Sequence, residues 1–375
     1  MNRRDLSVMS VFGTRPEAIK MCPLVKELER TDGVHSIVCL TGQHRQMLDQ
    51  VMEIFGIRAG YDLNIMRPQQ TLYTITSDIL LRIEDVLREA RPDVVLVHGD
   101  TTTSFAVALA AFYQQIPVGH VEAGLRTFHR YSPFPEEMNR CLTGRLASYH
   151  FAPTVRNAQN LEREGITEHV FITGNTVIDA FQTTVRKDYA FKADALQGFD
   201  PSAGRTILMT AHRRENLGAP LENICRAILQ IVRDVPDVQV VYPVHLNPAV
   251  RETVFAVLGN VERVHLIEPL DVEDMHNLMA RSYLVMTDSG GLQEEAPACG
   301  VPVLVMRTET ERPEAVEAGT VRVVGVEREN IWRGACELLK DPSAYAAMAR
   351  AVNPYGDGHA SERIVRHLKE GLVDS

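Results

Sequence analysis

The sequence predicts an α/β protein of two Rossmann-like domains, and three observations carry that reading. Short runs rich in valine, isoleucine and leucine recur along the 375 residues and mostly end at Gly, Asp or Ser. Apolar runs of that kind are how strands buried on both faces of a parallel sheet read. Stretches with helical spacing separate them, and the chain is longer than a single domain usually is.

In the first half the strands are SVMSVF from Ser7, HSIVCLTG from His35, DVVLVHG from Asp93, PVGHVEAG from Pro117, SYHFAP from Ser148 and HVFITGN from His169. Between them PEAIKMCPLVKELER, QMLDQVMEIFG, TLYTITSDILLRIEDVLREA and SFAVALAAFYQQ have helical spacing, with Pro16 suited to a first turn. The second half repeats the style with RTILMTAHRREN from Arg205, VQVVYPVHLNP from Val238, RVHLIEPL from Arg263, SYLVMTDSGG from Ser282, VPVLVMRTETERP from Val301 and TVRVVG from Thr320. PLENICRAILQIVRD and NLMA read as helices in the intervals. The polar stretch from Lys187 to Ala203 reads as a linker. The expected domains are therefore 1–180 and 181–357, with a terminal helix at about 358–375 packing back on the first and a ligand cleft between the two.

A formal net charge of −10 argues against a polyanionic partner, so no nucleic acid is expected, but it leaves room for a small phosphate-bearing molecule. The six cysteines, Cys22, Cys39, Cys141, Cys225, Cys299 and Cys336, are scattered singly, as in a reducing compartment. The opening MNRRDLSVMSVF runs straight into a strand, and no apolar run reaches the roughly 18 residues of a membrane span. A cytoplasmic protein with no membrane partner is expected.

The most informative segment, HVEAGLRTFHRYSPFPEEMNR, follows a buried strand yet carries charge where a fold prefers apolar packing. With Asp100 at another strand end, Glu122 and Glu136 make a set of acids expected to converge on one cleft and move protons. Taken singly, each also reads as a turn former or a helix cap. After the first strand, FGTRPEAIK joins a glycine turn to a helix N-terminus, with Arg15 and Lys20 supplying positive charge for an anion. Capping by Thr14 and ordinary surface charge are the plainer alternative, and neither GxGxxG nor GKS/GKT is present.

The counterpart in the second half is TDSGGLQEEAPACG. Ser289, Gly290 and Gly291 let phosphate oxygens approach backbone N–H groups, and Glu295 can accept hydrogen bonds from a ribose diol. In TAHRREN, His212 reads as a phosphate donor, a weak acid or a capped loop histidine. His98, His120, His150, His245 and His265 lie in or near strands, where structural histidines are common. No HExxH or Asp/His cluster is present, which argues against zinc.

Taken together, FGTRPEAIKM, TGQH, HGDTTT, VEAGLRT, PFPEEMNR, TGNTVIDA, TAHRREN, YPVHLNP and DSGGLQEEAPA resemble the non-hydrolysing UDP-N-acetylglucosamine 2-epimerases, in matching order from about Val8 to the terminal helix. The resemblance implies a glycosyltransferase-B-like architecture with the active site in the interdomain cleft. It also implies a cytoplasmic homodimer, a place in cell-envelope polysaccharide synthesis, and an isomerase needing neither NAD nor metal. The implied reaction interconverts UDP-N-acetylglucosamine and UDP-N-acetylmannosamine by anti elimination of UDP to 2-acetamidoglucal and re-addition.

By the same resemblance Asp100, Glu122 and Glu136 are the catalytic acids. Arg15 and His212 stabilise the departing diphosphate with Lys20 in support, Ser289, Gly290 and Gly291 bind it, and Glu295 holds the ribose. A second UDP-N-acetylglucosamine is implied as an activator at Gln43, Gln46, Arg213 and His245. Gln69 stands where regulated members carry arginine, with Arg67 the nearest replacement charge. A glycosyltransferase, a hydrolysing epimerase and a nucleotide-sugar sensor are the competing readings.

Overall fold

The structure, a computed structural model, describes residues 5–42, 45–67 and 69–373. The chain divides into two units, Met1–Thr183 with Tyr355–Ser375, and Thr184–Pro354.

The first unit holds β1 (Leu6–Phe12), β2 (Val34–Leu40), β3 (Tyr61–Asp62), β4 (Val94–His98), β5 (Val118–Val121), β6 (Tyr149–Ala152) and β7 (Val170–Ile172). They form one parallel sheet in the order β3-β2-β1-β4-β5-β6-β7. Its helices are α1 (Arg15–Arg30), α2 (Arg45–Ile54), α3 (Leu72–Ala90), α4 (Thr102–Tyr113), α5 (Glu136–Leu146), α6 (Val155–Arg163) and α7 (Thr176–Thr184). Every residue of β1 and of β4 is buried, which explains their unbroken apolar runs. On one face Ile75, Ile79, Ile83 and Leu87 of α3 join the alanine-rich α4 over Met9, Val11, Val95 and Val97. On α1, Ala18, Met21, Cys22 and Val25 form a buried stripe at helical spacing.

The second unit holds β8 (Arg205–Thr210), β9 (Val238–Pro243), β10 (Val264–Ile267), β11 (Leu284–Thr287), β12 (Val303–Val305) and β13 (Val321–Val323), in the order β10-β9-β8-β11-β12-β13. These strands are also parallel. Its helices are α8 (Ala219–Asp234), α9 (Pro248–Leu258), α10 (Val272–Ala280), α11 (Gly290–Glu295), α12 (Pro313–Glu317), α13 (Arg328–Lys340) and α14 (Pro342–Ala349). The chain ends in α15 (Ala360–Val373).

Helix α15 is anchored in the first unit. Asp179 of α7 accepts hydrogen bonds from the N–H groups of Ser361 at 2.7 Å and Ala360 at 3.2 Å, capping orphan donors at the helix start. Lys369 donates to the Asp32 carbonyl at 2.9 Å. The stretch read as a linker lies wholly in the second unit and is tied down there. Asp274 accepts from the Tyr189 hydroxyl at 2.8 Å and from the N–H groups of Lys192 at 2.9 Å and Ala193 at 2.8 Å.

In both sheets the strand order reverses beside the first strand of the unit, at β1/β4 and at β8/β11. Crevices at such switch points, outside the carboxyl ends of the strands, are where open α/β sheets bind ligands. All six cysteines are free thiols. Among the described residues no helix is long and apolar enough to cross a membrane.

Candidate active site

The loop leaving β1 is built around a buried carboxylate. Glu17 accepts from Gly13 N at 3.0 Å and Thr14 N at 2.8 Å through one oxygen, and from Thr101 Oγ1 at 2.6 Å and Ser104 Oγ at 3.3 Å through the other. Burial raises its pKa, and the hydrogen bonds from Thr101, Gly13 and Thr14 oppose the shift. Thr14 returns a contact to Glu17 N at 3.5 Å, so the capping reading of Thr14 holds. The same carboxylate ties the start of α1 to the start of α4, at the switch point. A Cβ on Gly13 would stand 1.8 Å from Thr41 Oγ1, so only glycine fits. Arg15 opens α1, and Lys20 pairs across the sheet with Glu122.

Glu122 follows β5 directly and has a φ of +62°. A non-glycine residue held there is strained by about 1–3 kcal/mol and needs surrounding contacts to persist. Lys20 Nζ and Asn175 Nδ2, the latter at 3.0 Å, hold one carboxylate oxygen, while His98 Nε2 stands 3.7 Å from the other. Burial pushes the His98 pKa down to about 4, so it is a neutral neighbour at pH 7.

Asp100, on the neighbouring strand end after β4, is ion-paired with Arg140, and its carbonyl accepts from Asn139 Nδ2 at 2.9 Å. Glu136 is the first residue of α5, so it shares a helix face with Asn139 and Arg140 at i+3 and i+4. Two residues of that face bind Asp100, which puts Glu136 on the same side. Its Oε2 is buried and has no hydrogen-bond partner among the described residues. The adjacent Glu137 serves the fold instead, accepting from the N–H groups of Thr127 at 3.1 Å and Phe128 at 2.8 Å.

In the second unit, Asp288 and Ser289 leave β11 beside His212, which leaves β8. Ser289 makes no side-chain cap to α11. A Cβ on Gly290 would lie 3.3 Å from Cζ of Arg312, and one on Gly291 would lie 2.9 Å from Glu295 Oε1, so side chains there would crowd charged groups. Arg312 Nε donates to Glu294 at 2.7 Å. Glu295 stands 3.4 Å from His276 Nε2, and His276 Nδ1 is 2.8 Å from Thr184 Oγ1.

His212 stacks on His245 with centroids 5.1 Å apart and planes 11° from parallel. Burial lowers the His212 pKa, Asp288 opposes the shift, and His245 and Arg213 add to it. Arg213 donates from its backbone N–H to Asp288 Oδ2 at 2.8 Å and from Nε to the Asp288 carbonyl at 3.3 Å.

The structure thus sets Asp100 and Glu122 at strand ends of the first unit, with Glu136 at the start of α5 and Arg15 and Lys20 on α1. It gathers His212, Arg213 and His245 in the second unit, and sets Ser289, Gly290, Gly291 and Glu295 along the turn after β11. Gln43 and the side chain of Gln46 lie outside the described residues. Gln69 has a φ of +57°, and Arg67 is committed to Asp78 at 2.7 Å. Sequence reasoning missed Glu17, Asn175, Arg312 and the role of Asp288. For Glu17 the three-residue spacing from Thr14 was a usable signal.

A family profile described as UDP-N-acetylglucosamine 2-epimerase matches residues 26–369. The UDP-N-acetylglucosamine 2-epimerase of Bacillus subtilis strain 168 is 57% identical over 366 residues, covering 97% of this chain and 95% of its own. The UDP-GlcNAc 2-epimerase of Neisseria meningitidis, solved bound to UDP-GlcNAc, is 50% identical and superposes with a TM-score of 0.89, covering 99% of this chain and 100% of its own. The glycotransferase of kitacinnamycin, at 15% identity and a TM-score of 0.63 over 98% of this chain and 100% of its own, shares the fold alone.

Proposed function

The chain belongs to the UDP-N-acetylglucosamine 2-epimerase family, and from that membership we propose that its two groups of candidate residues serve one substrate molecule, the acids of the first at the sugar, its cations at the diphosphate, and the second group at the nucleotide. The reaction is C2 epimerisation between UDP-N-acetylglucosamine and UDP-N-acetylmannosamine. In the elimination half, the C2 proton passes to an enzyme base and the C1–O bond breaks with its electron pair leaving on UDP. 2-Acetamidoglucal remains bound. UDP then adds back while C2 is protonated on the opposite face.

Asp100, Glu122 and Glu136 supply the base and the returning acid. One observation carries this reading: acids on adjoining strand ends are held by Lys20 and Arg140, while a third keeps a buried oxygen without a hydrogen-bond partner among the described residues. Neutral sugar hydroxyls do not require so many carboxylates. Arg15 and His212 stabilise charge on the departing diphosphate, with Lys20 in support. Ser289, Gly290 and Gly291 hold that diphosphate, and Glu295 holds the ribose.

The test is turnover of UDP-N-acetylglucosamine in deuterated water. The expected product is UDP-N-acetylmannosamine carrying deuterium at C2. Unlabelled product, or release of free N-acetylmannosamine, overturns the mechanism.

The proposal also covers a homodimer, a cytoplasmic location and activation by a second UDP-N-acetylglucosamine. For the dimer, α3 and α4 expose Leu81 and Tyr113, at 71% and 68%, beside a groove of about 620 Å³. For activation, His245 stacks on His212 and so joins the second-ligand residues to the reaction. Epimerisation of UDP-N-acetylmannosamine is expected to be sigmoidal in substrate and to become hyperbolic with trace UDP-N-acetylglucosamine. Hyperbolic kinetics without the activator would sink the second site.

A further inference from the structure

We infer that Asp288 is a positioning residue for His212, orienting its ring and fixing its proton from beneath; this rests on the reading of His212 as the group that stabilises the departing diphosphate. The two residues follow β11 and β8, which are paired as far as Thr287 and Thr210 at the switch point of the sheet. Asp288 is wholly buried. Its Oδ2 accepts from His212 N and Arg213 N, both at 2.8 Å, and from Asn216 Nδ2 at 3.0 Å. Three donors on one oxygen fix the orientation of the carboxylate.

The other oxygen carries the inference. Oδ1 is buried and has no hydrogen-bond partner among the described residues, and it stands 3.8 Å from His212 Nδ1. Leaving a buried acceptor unmade costs about 1–3 kcal/mol. A charge-assisted N–H···O contact needs Nδ1 about 1 Å nearer, a small rotation of an imidazole whose backbone N–H the same carboxylate already holds. With Nδ1–H on Asp288, Nε2 is left for the ligand. The stack on His245 keeps the ring in plane.

The groups facing His212 are Asp288 from the end of β11, His245 from the end of β9 and Arg213 beside it. Glu215, nearby in sequence, is engaged with Arg307 at 2.9 Å. Burial and the two basic neighbours disfavour the imidazolium, and Asp288 is the charge that keeps it accessible. A rate that requires the imidazolium falls as pH rises through the His212 pKa, and loss of the Asp288 charge moves that alkaline limb to lower pH.

The discriminating variant is Asp288→Asn. Its amide oxygen must keep the seat of Oδ2, because an NH₂ there would face three donors. The NH₂ then faces Nδ1 and forces the proton to Nε2. At pH 8, kcat is expected to fall about ten- to a hundredfold, a share of the 10²–10⁴ that a positioned acid supplies. The alkaline limb should move down by about one pH unit, with KM little changed, and ¹⁵N spectra of labelled histidine should report the changed tautomer.

His212→Gln, run alongside, separates the two levels. If it leaves kcat intact, the reading of His212 fails. If it lowers kcat while Asp288→Asn leaves the rate, the limb and the tautomer unchanged, Asp288 is structural and the inference is overturned. The unmodified protein offers a check free of any folding defect in the variant. Neutral His212 should carry its proton on Nδ1, and a proton on Nε2 refutes the proposal.

Discussion

The two units wind alike and furnish their strand ends differently. The order β10-β9-β8-β11-β12-β13 repeats the β3-β2-β1-β4-β5-β6 of the first unit, and each places its candidate residues beside the strands where the order reverses. In the first unit Asp100 and Glu122 keep side-chain exposures of 26% and 13% and are held by Arg140 and Lys20. In the second, Asp288 is fully buried and held chiefly by backbone N–H groups, and what it supports is a histidine beside a turn of small residues. The lesson lies in what compensates the acid. A partly exposed carboxylate held by a side-chain cation stays available to a ligand, whereas one locked by main-chain donors becomes scaffold. On the proposed reading, one topology carries the proton-transferring acids in one half and the nucleotide-binding turn in the other.

Amide substitutions are the sharpest way to break that contrast. Asp100→Asn or Glu122→Gln should lower kcat by about 10³-fold or more, near the upper part of what a positioned acid or base supplies. UDP affinity should stay within a few-fold, read by calorimetry. Each variant removes a negative charge that faces a cation, Arg140 or Lys20, so thermal melts must accompany the kinetics. If the rate loss tracks loss of folded protein, the acids are structural after all. Glu295→Gln should act in the other sense and more weakly, raising KM about tenfold with kcat nearly intact, as when uniform binding is removed. A collapse of kcat there would erase the division of labour between the units.

How much of this was legible in the sequence follows from what burial does to pattern. The β1 and β4 strands were plain because both faces are apolar. The two-residue strand Tyr61–Asp62 is too short to carry any period. Helix α5 was missed because its inner face is polar: Glu137, Asn139 and Arg140 are buried, so hydrophobic periodicity fails where the helix carries site residues. The acids at strand ends were legible as residue type in the wrong company. Their partners were not. Asn175 lies 53 residues from Glu122 in sequence, and only the parallel register brings them together. Asp288 could be read only as part of a DSGG turn, since its role depends on burial.

The smallest expected effect also separates the units, by acid. His98, His120 and His150 sit buried on the adjacent strands β4, β5 and β6, with His120 paired in register to His150. Burial pushes their pKa values down to about 4, about 3 and about 4, from an ordinary value of 6.5. Between those limits the unfolded chain binds protons that the folded unit refuses. Stability from neutral burial is therefore complete above pH 6.5 and is lost as pH falls toward the folded values. In the second unit His212 and His265 are lowered as well, but His212 has Asp288 to offset its burial. Hydrogen exchange at pH 5 should accordingly show protection falling first in the first unit. His150→Gln, which removes a titrating group whose Nδ1 has no hydrogen-bond partner among the described residues, should flatten the dependence of Tm on pH across that window. An unchanged slope would mean that carboxylates, and not these histidines, set the acid limit of the first unit.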